Sequence, residues 1–341
     1  MEPEIIIRTQ GRAGILTLNR PKALNALTHG MCLATEEALT AWRDDPAVEV
    51  VILEARGDRA FCAGGDIAQV TAAGRRGDYA MGRDFWRDEY RMNLMLSRYD
   101  KPIVSFMNGF VMGGGVGYGC HVAHRVVGET TQMAMPECGI GLIPDVGGTW
   151  LLSRAPGQLG LYLALTAARM GPGDAIHAGF ADRFIPEAEW DAAKTRLIDT
   201  GDPASLPSHP APDSPLAAEQ ARIDALFSGA TVPAILAALE ADDGALAATA
   251  LKAMRRNSPL SMASSLAMLR PGPASLAEAL AQEFRWTWRS MEHGDFIEGV
   301  RAQILDKDRN PKWRHAAPAE VTSAETEAML APLGADELAL E

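Results

Sequence analysis

Through its first half the chain repeats one pattern: a short apolar run, a glycine or proline turn, then an amphipathic stretch. Glu4 to Thr9 and Gly14 to Asn19 are β-rich, and Gln10–Ala13 between them predicts a hairpin. Thr28 is placed to cap a helix running to about Trp42. VEVVILEA, Val48 to Ala55, is the β-branched run of a strand buried on both faces. Arg83 to Tyr99 has helical spacing through Phe85, Tyr90, Leu94 and Met95, with the stretch from Ala73 to Gly77 before it read as a loop. IVSFM after Lys101-Pro102 predicts a second buried strand, and MGGGVGYGCHVA a glycine turn passing into a small-residue helix. HRVVGETTQMAM adds further strand sequence, so strand, glycine turn and helix recur about every fifty residues, an α/β pattern.

The second half changes character. Trp150 to about Arg169 is expected to be helical, and Gly171 to Pro186 a short helix, turn and strand. TGDPASLPSHPAPDSP, Thr200 to Pro215, is rich in Pro, Ser and Asp, and a linker at 201–216 is expected to divide a core at 1–200 from a helical region at 217–341. The last residues, Ala316 to Glu341, are Ala/Glu-rich and expected to form a frayed helix.

Composition narrows the function classes. With 341 residues, 47% of them hydrophobic and 22% charged, the chain has ordinary globular proportions and length for more than one core. A net charge of −12 without a basic stripe argues against nucleic acid as a partner. No window is long and apolar enough for a membrane span. Cys32, Cys62, Cys120 and Cys138 form no CxxC pair, which fits a reducing compartment, and MEPEIIIRTQ lacks the basic, apolar build of a signal peptide. A soluble, cytoplasmic protein is the expectation.

Candidate chemistry concentrates in MAMPECGIGLIPDVGGTW, Met133 to Trp150. Two carboxylates, Glu137 and Asp145, each follow a proline and flank an apolar run, and Gly147-Gly148 opens a helix-like segment. Taken alone, such turns are solvated punctuation. Between apolar walls the same carboxyls would be desolvated, as an acid or base requires. Other chemistries fail on spacing. The glycine run breaks every GxGxxG register at Tyr118 or Cys120, and neither a P-loop nor a GxSxG elbow is present. His121 and His124 lie three apart, a spacing compatible with one helix face, but have no acidic partner at ligand spacing, so no metal is expected. The isolated cysteines read as packing rather than nucleophiles.

NRPKALNAL, AFCAGGDI, NGFVMGGGVG and MPECGIGLIPDVGG, in that order, resemble the enoyl-CoA hydratase/isomerase (crotonase) superfamily over residues 4 to 200. The resemblance implies a spiral of ββα units with a C-terminal helical region, an acyl-CoA substrate, and no cofactor beyond the coenzyme A the substrate carries. It also implies two backbone amides that hold the thioester carbonyl, matched here to Ala63 and Gly114. Preorganised amides of this kind contribute on the order of 3 kcal/mol each. Family members often assemble as trimers, so a homo-oligomer is among the partners to consider, although the long C-terminal region could cover that surface. Lys22, in RPKALNAL, is the candidate for the CoA phosphates, and a turn lysine is equally well simply exposed.

Hydratases of this family carry a glutamate just after the glycine run, where this chain has Gly117. The second hydratase glutamate is present as Glu137, and Asp145 stands where many hydratases carry glycine. With WRDEY and the downstream segments NSPLSM and DFIEGVRAQILDKDRNPKW, this is similar to the 3-hydroxyisobutyryl-CoA hydrolase subfamily as far as about Trp313. The match implies Glu89, Gly114, Glu137 and Asp145 as substrate-contacting positions, with Glu137 and Asp145 catalytic. Glu137 would act as nucleophile or general base, Asp145 would position water or exchange a proton, and Glu89 would meet the acyl 3-hydroxyl or orient the other carboxylates. On its own, a glutamate in a charged helix such as that of Glu89 reads as solvated. An enoyl-CoA isomerase or hydratase using Glu137 alone is the alternative.

Overall fold

Residues 2–340 are described by a computed structural model, and the chain alternates between two compact units. The first gathers residues up to Gly65, Asp88–Ala134 and Arg169–Ala217; the second gathers Asp66–Arg87, Met135–Ala168 and the residues from Ala218 onward. A single cut through a linker at 201–216 is therefore not how this chain divides. That stretch is built into the first unit, where the buried carboxyl of Asp174 accepts from Ser214 Oγ at 2.7 Å and Leu216 N at 3.0 Å. The expected core at 1–200 also gives up 66–87 and 135–168 to the helical unit.

Among the described residues the first unit carries nine strands: β1 Ile5–Gln10, β2 Ala13–Leu18, β3 Val50–Ala55, β4 Ala60–Cys62, β5 Ile103–Met107, β6 Phe110–Met112, β7 His124–Val127, β8 Gln132–Ala134 and β9 Arg183–Phe184. From β3 to β8 successive strands alternate between two sheets, one ordered β1-β2-β3-β5-β7-β9 and one ordered β4-β6-β8. Only β1 and β2 pair antiparallel, in the expected hairpin; every other ladder is parallel. Parallel strands covered on both faces need near-continuous apolar sequence, which Val50–Leu53 and IVSFM supply. Alternate residues Ile15, Ile52, Val104 and Phe106 fill one core together with Trp190 and Leu197 of the helix Trp190–Thr200. Phe106 meets Trp190 edge-on at 5.4 Å between centroids. This is the alternating ββα arrangement that the motifs implied.

Helix α1, His29–Arg43, begins where expected, Thr28 Oγ1 accepting from Met31 N at 3.3 Å. Helix α2, Ile67–Gly74, runs into the stretch read as a loop, and α3, Ala80–Ser97, follows. The glycine run yields a short helix, α4, Gly114–Gly119. In the second unit the single helix expected after Trp150 is two, α5 Gly148–Ser153 and the helix Leu159–Thr166. Pro156-Gly157 breaks it, since proline lacks the amide for the ladder and Gly157 takes φ +52°. Around these pack Val232–Glu240, Ala245–Met254, Pro259–Leu269 and Leu276–His293. The C-terminal stretch expected to fray holds a capped helix, Ser323–Leu330, with Thr322 and Glu325 exchanging cap bonds.

Candidate active site

In the first unit three motifs build one backbone surface. Leu24 and Asn25, in NRPKALNAL, both adopt positive φ, and Asn is among the residues that tolerate this. The Asn25 side chain is buried and donates to Arg56 O at 3.0 Å and Ala60 O at 2.8 Å, fastening this turn to β4. Beyond β4 the Ala63 amide donates to Leu24 O at 3.0 Å, and Leu27 N donates to Gly64 O at 2.9 Å. The Ala63 assignment is thereby corrected: its N–H is spent on the Leu24 carbonyl and is not available to a thioester. The amide brought beside the glycine helix belongs to Gly65, whose nitrogen lies 3.1 Å from where a Gly114 Cβ would stand. The second glycine of AGGD was the signal for it.

Gly113 turns the chain into α4 with φ +47° and ψ −115°, a combination only glycine adopts readily, and its carbonyl takes the Val116 and Gly117 amides. Gly114, first in the helix, has no acceptor within its own helix. The Glu89 carboxyl packs against it, Oε1 lying 2.8 Å from the absent Cβ. Glu89 is 3% exposed, so the solvated reading of this helix residue does not hold. Position 117, where hydratases of the resemblance carry an acid, is a buried glycine on α4. Lys22 is exposed on the turn Pro21–Ala23.

Glu137 and Asp145 belong to the second unit and are 4% and 5% exposed. Glu137 opens the 3-10 turn Glu137–Ile140, which Leu142 N closes on Glu137 O at 3.0 Å. Ser258 N donates to Cys138 O at 2.9 Å, while Ser258 Oγ donates to the buried Asp295 at 2.6 Å. Gly141, at φ +72°, lies against Asp295, whose carbonyl would be 2.4 Å from any Cβ. Asp145 sits in a turn closed by Gly148 N donating to Asp145 O at 2.6 Å. Its successor Val146 has φ +53°, a conformation a β-branched residue adopts only under constraint, at a cost on the order of 1–3 kcal/mol.

A third carboxyl in this unit escaped the sequence reading. Glu283, on Leu276–His293 and fully buried, accepts from Gly147 N at 2.7 Å, from Thr149 N at 3.0 Å and from the Thr149 hydroxyl. Burial pushes its carboxyl up to about 8 against the pull of these donors, and the Asp145 charge adds to the rise. Its spacing from Leu276, Leu280, Phe284 and Thr287 puts it on the buried stripe of the helix, a legible signal. All four cysteines are buried; Cys62, Cys120 and Cys138 are pushed up to about 12 by that burial, which keeps them thiols.

A family profile described as enoyl-CoA hydratase/isomerase matches residues 13–330. The chain belongs to that family. Within the enoyl-CoA hydratase/isomerase family it is 41% identical to the mitochondrial 3-hydroxyisobutyryl-CoA hydrolase of Xenopus tropicalis, covering 99% of this chain and 91% of that protein. Among solved structures, an enoyl-CoA hydratase from Rhodobacter sphaeroides shares 55% identity with a TM-score of 0.96, covering 99% and 100% of the two chains. A carnitinyl-CoA dehydratase from Mycobacterium thermoresistibile shares 46% with a TM-score of 0.95, covering 100% and 99%. The crotonase-type fold expected from the motifs is thus established. The cytoplasmic expectation is overturned, because the Xenopus relative is named as mitochondrial. An acidic first segment and unpaired cysteines fit several reducing compartments and do not tell them apart. Among the described residues no helix is long and apolar enough to cross a membrane.

Proposed function

We propose that the chain hydrolyses a short 3-hydroxyacyl-CoA thioester, 3-hydroxyisobutyryl-CoA first among them. One observation carries the reading. The glycine helix presents Gly117 instead of an acid, while Glu137 and Asp145 are both buried on turns held by their own unit. A second acid for adding water across a double bond is missing, and an acid suited to thioester cleavage is present. The hydrolase name of the Xenopus relative supports it.

In this mechanism the Gly65 and Gly114 amides donate to the thioester oxygen and stabilise charge as it develops. Glu137 either takes a proton from water, whose oxygen adds to the carbonyl carbon, or attacks that carbon itself to give a mixed anhydride that water then cleaves. The C–S bond breaks with its electron pair on sulfur, and Asp145 relays the proton given up by water to the departing thiolate. The products are the free hydroxy acid and coenzyme A. Glu89, beside Gly114, accepts a hydrogen bond from the 3-hydroxyl or holds the amide surface in place. Lys22 is proposed only for the outer CoA phosphates. No cofactor enters the balance.

The test is thiol release from purified protein and 3-hydroxyisobutyryl-CoA. Glu137→Gln is expected to abolish it, and Asp145→Asn to reduce it strongly. Binding without thiol release would end this reading. The 55% identity to a hydratase supports a second one, in which Glu137 alone moves a proton α to the thioester. Loss of enoyl absorbance from crotonyl-CoA without CoA release would favour that alternative.

A further inference from the structure

We propose that Glu283 is a positioning residue for Asp145: its carboxyl clamps the 145–149 turn and so fixes the orientation of the catalytic acid. The inference rests on the role given to Asp145 above and extends it to a residue that need not touch substrate.

Three observations support it. The turn is an unfavourable one, since Val146 sits at φ +53° directly after Asp145. Such a conformation persists only where the surroundings over-determine it. The over-determining group is Glu283, whose two oxygens engage both sides of the turn's end: Gly147 N on one, the Thr149 amide and hydroxyl on the other. Finally, Glu283 is 0% exposed, and an acid so buried is costly unless it does something an apolar side chain could not.

Among the described residues, the titratable group that acts most strongly on Glu283 is Asp145. On its own helix Arg285 pairs with Glu337, Arg289 donates to the carbonyls of Met329 and Pro332, and Glu278 takes the Ala274 amide. On elements packed against that helix, Glu298 is held by Arg301, Glu325 by Thr322 and His315, and Glu327 is exposed. From α3, Arg83 lies over the Trp288 ring and pairs with Glu292, and Arg87 lies over the Phe284 ring; the leading charge on Glu283 is that of Asp145. When Glu283 ionises, near pH 8, a second negative charge arrives beside Asp145, which then holds a proton more tightly and yields it less readily to the thiolate. The rate of hydrolysis should therefore fall through that pH.

Glu283→Gln keeps the shape but turns a donor toward one of the three donors it now satisfies. The expected result is kcat lowered by about tenfold or more with KM changed less than about threefold, because a misaligned acid costs rate rather than binding. The fall near pH 8 should disappear from the profile of the variant. Hydrogen exchange of the Gly147 and Thr149 amides should accelerate, a readout that does not depend on turnover. Should Glu283→Gln not fold, Thr149→Val removes one of the three bonds and should show the same trends more weakly. Unchanged exchange at Gly147 and Thr149, or a pH profile superimposable on the parent's, would overturn the proposal. Failure of the thioesterase reading looks different: the parent itself would release no thiol, while the exchange measurement would still decide whether Glu283 clamps the turn.

Discussion

Adding one methyl group to the glycine helix tests whether the amide pair depends on close backbone contact. In Gly115→Ala the new Cβ would lie 2.2 Å from Cys62 O and 3.0 Å from Cys62 C, both backbone atoms of β4. Real Cβ contacts stay beyond 3.0 Å, so α4 and β4 must part by about 1 Å. No flexible side chain is available to absorb the shift. The strand leads directly to Gly65 and the helix begins at Gly114, so the separation is imposed on the two amides assigned to the oxyanion. A displacement of this size is worth about 100-fold in rate, or roughly 3 kcal/mol in the barrier. The measurement is kcat/KM for thiol release by Gly115→Ala, with thermal unfolding followed by circular dichroism to establish that it folds. Gly30→Ala on α1 is the control, since its Cβ would meet only Thr28 Oγ1 at 3.9 Å. A folded Gly115→Ala with kcat/KM within threefold of the parent would refute the assignment of these amides.

Glu283 is raised from its ordinary 4.5 to about 8, so its contribution to stability is complete at acid pH and is lost as pH climbs through 8. At roughly 1.4 kcal/mol per unit this amounts to several kcal/mol. The difference in urea unfolding free energy between parent and Glu283→Gln should therefore shrink from pH 5.5 to 8.5, and an equal gap at both would contradict it. Asn25→Ala removes the bonds to Arg56 O and to Ala60 O of β4 and leaves a non-glycine residue at φ +54°; a loss on the order of 2–4 kcal/mol is expected in urea titrations. The native protein should leave a disulfide thiol reagent unreacted over minutes and titrate all four cysteines once unfolded; rapid labelling of the native state would contradict their burial.

How legible these features were follows from where the determining contacts lie. The hairpin and the buried strands follow from period and β-branching, because a parallel strand must be apolar along its length. Strand β9, only two residues long, follows the helix Pro172–His177 as the pattern from Gly171 to Pro186 predicted. Pro156-Gly157 was a visible breaker outweighed by the leucine-rich helical pattern on either side. The Ala63 error is of another kind. Whether an amide is available depends on the carbonyl opposite it, and Leu24 O reaches Ala63 only because Asn25 fastens its turn to β4. Glu283 could have been found by asking why an acid falls on an apolar stripe. Its target, a turn far upstream, is set by tertiary structure alone. Nor does any local pattern show the interleaving of the two units.

That interleaving constrains the order in which the protein can be assembled. As the chain leaves the ribosome, strands up to β8 can begin to pair, since their unit has most of its parts by Ala134. Segments 66–87 and 135–168 have emerged as well, but the helices of their own unit, from Ala218 onward, have not. Glu137 and Asp145 are thus synthesised long before Ser258, Glu283 and Asp295, which hold their turns. Until the last third of the chain arrives, two stretches rich in apolar residues must wait unfolded, the circumstance in which nascent chains lean on chaperones. Catalytic competence is then the last property the polypeptide acquires, and a truncation within the C-terminal helices should yield an insoluble chain rather than a slow enzyme.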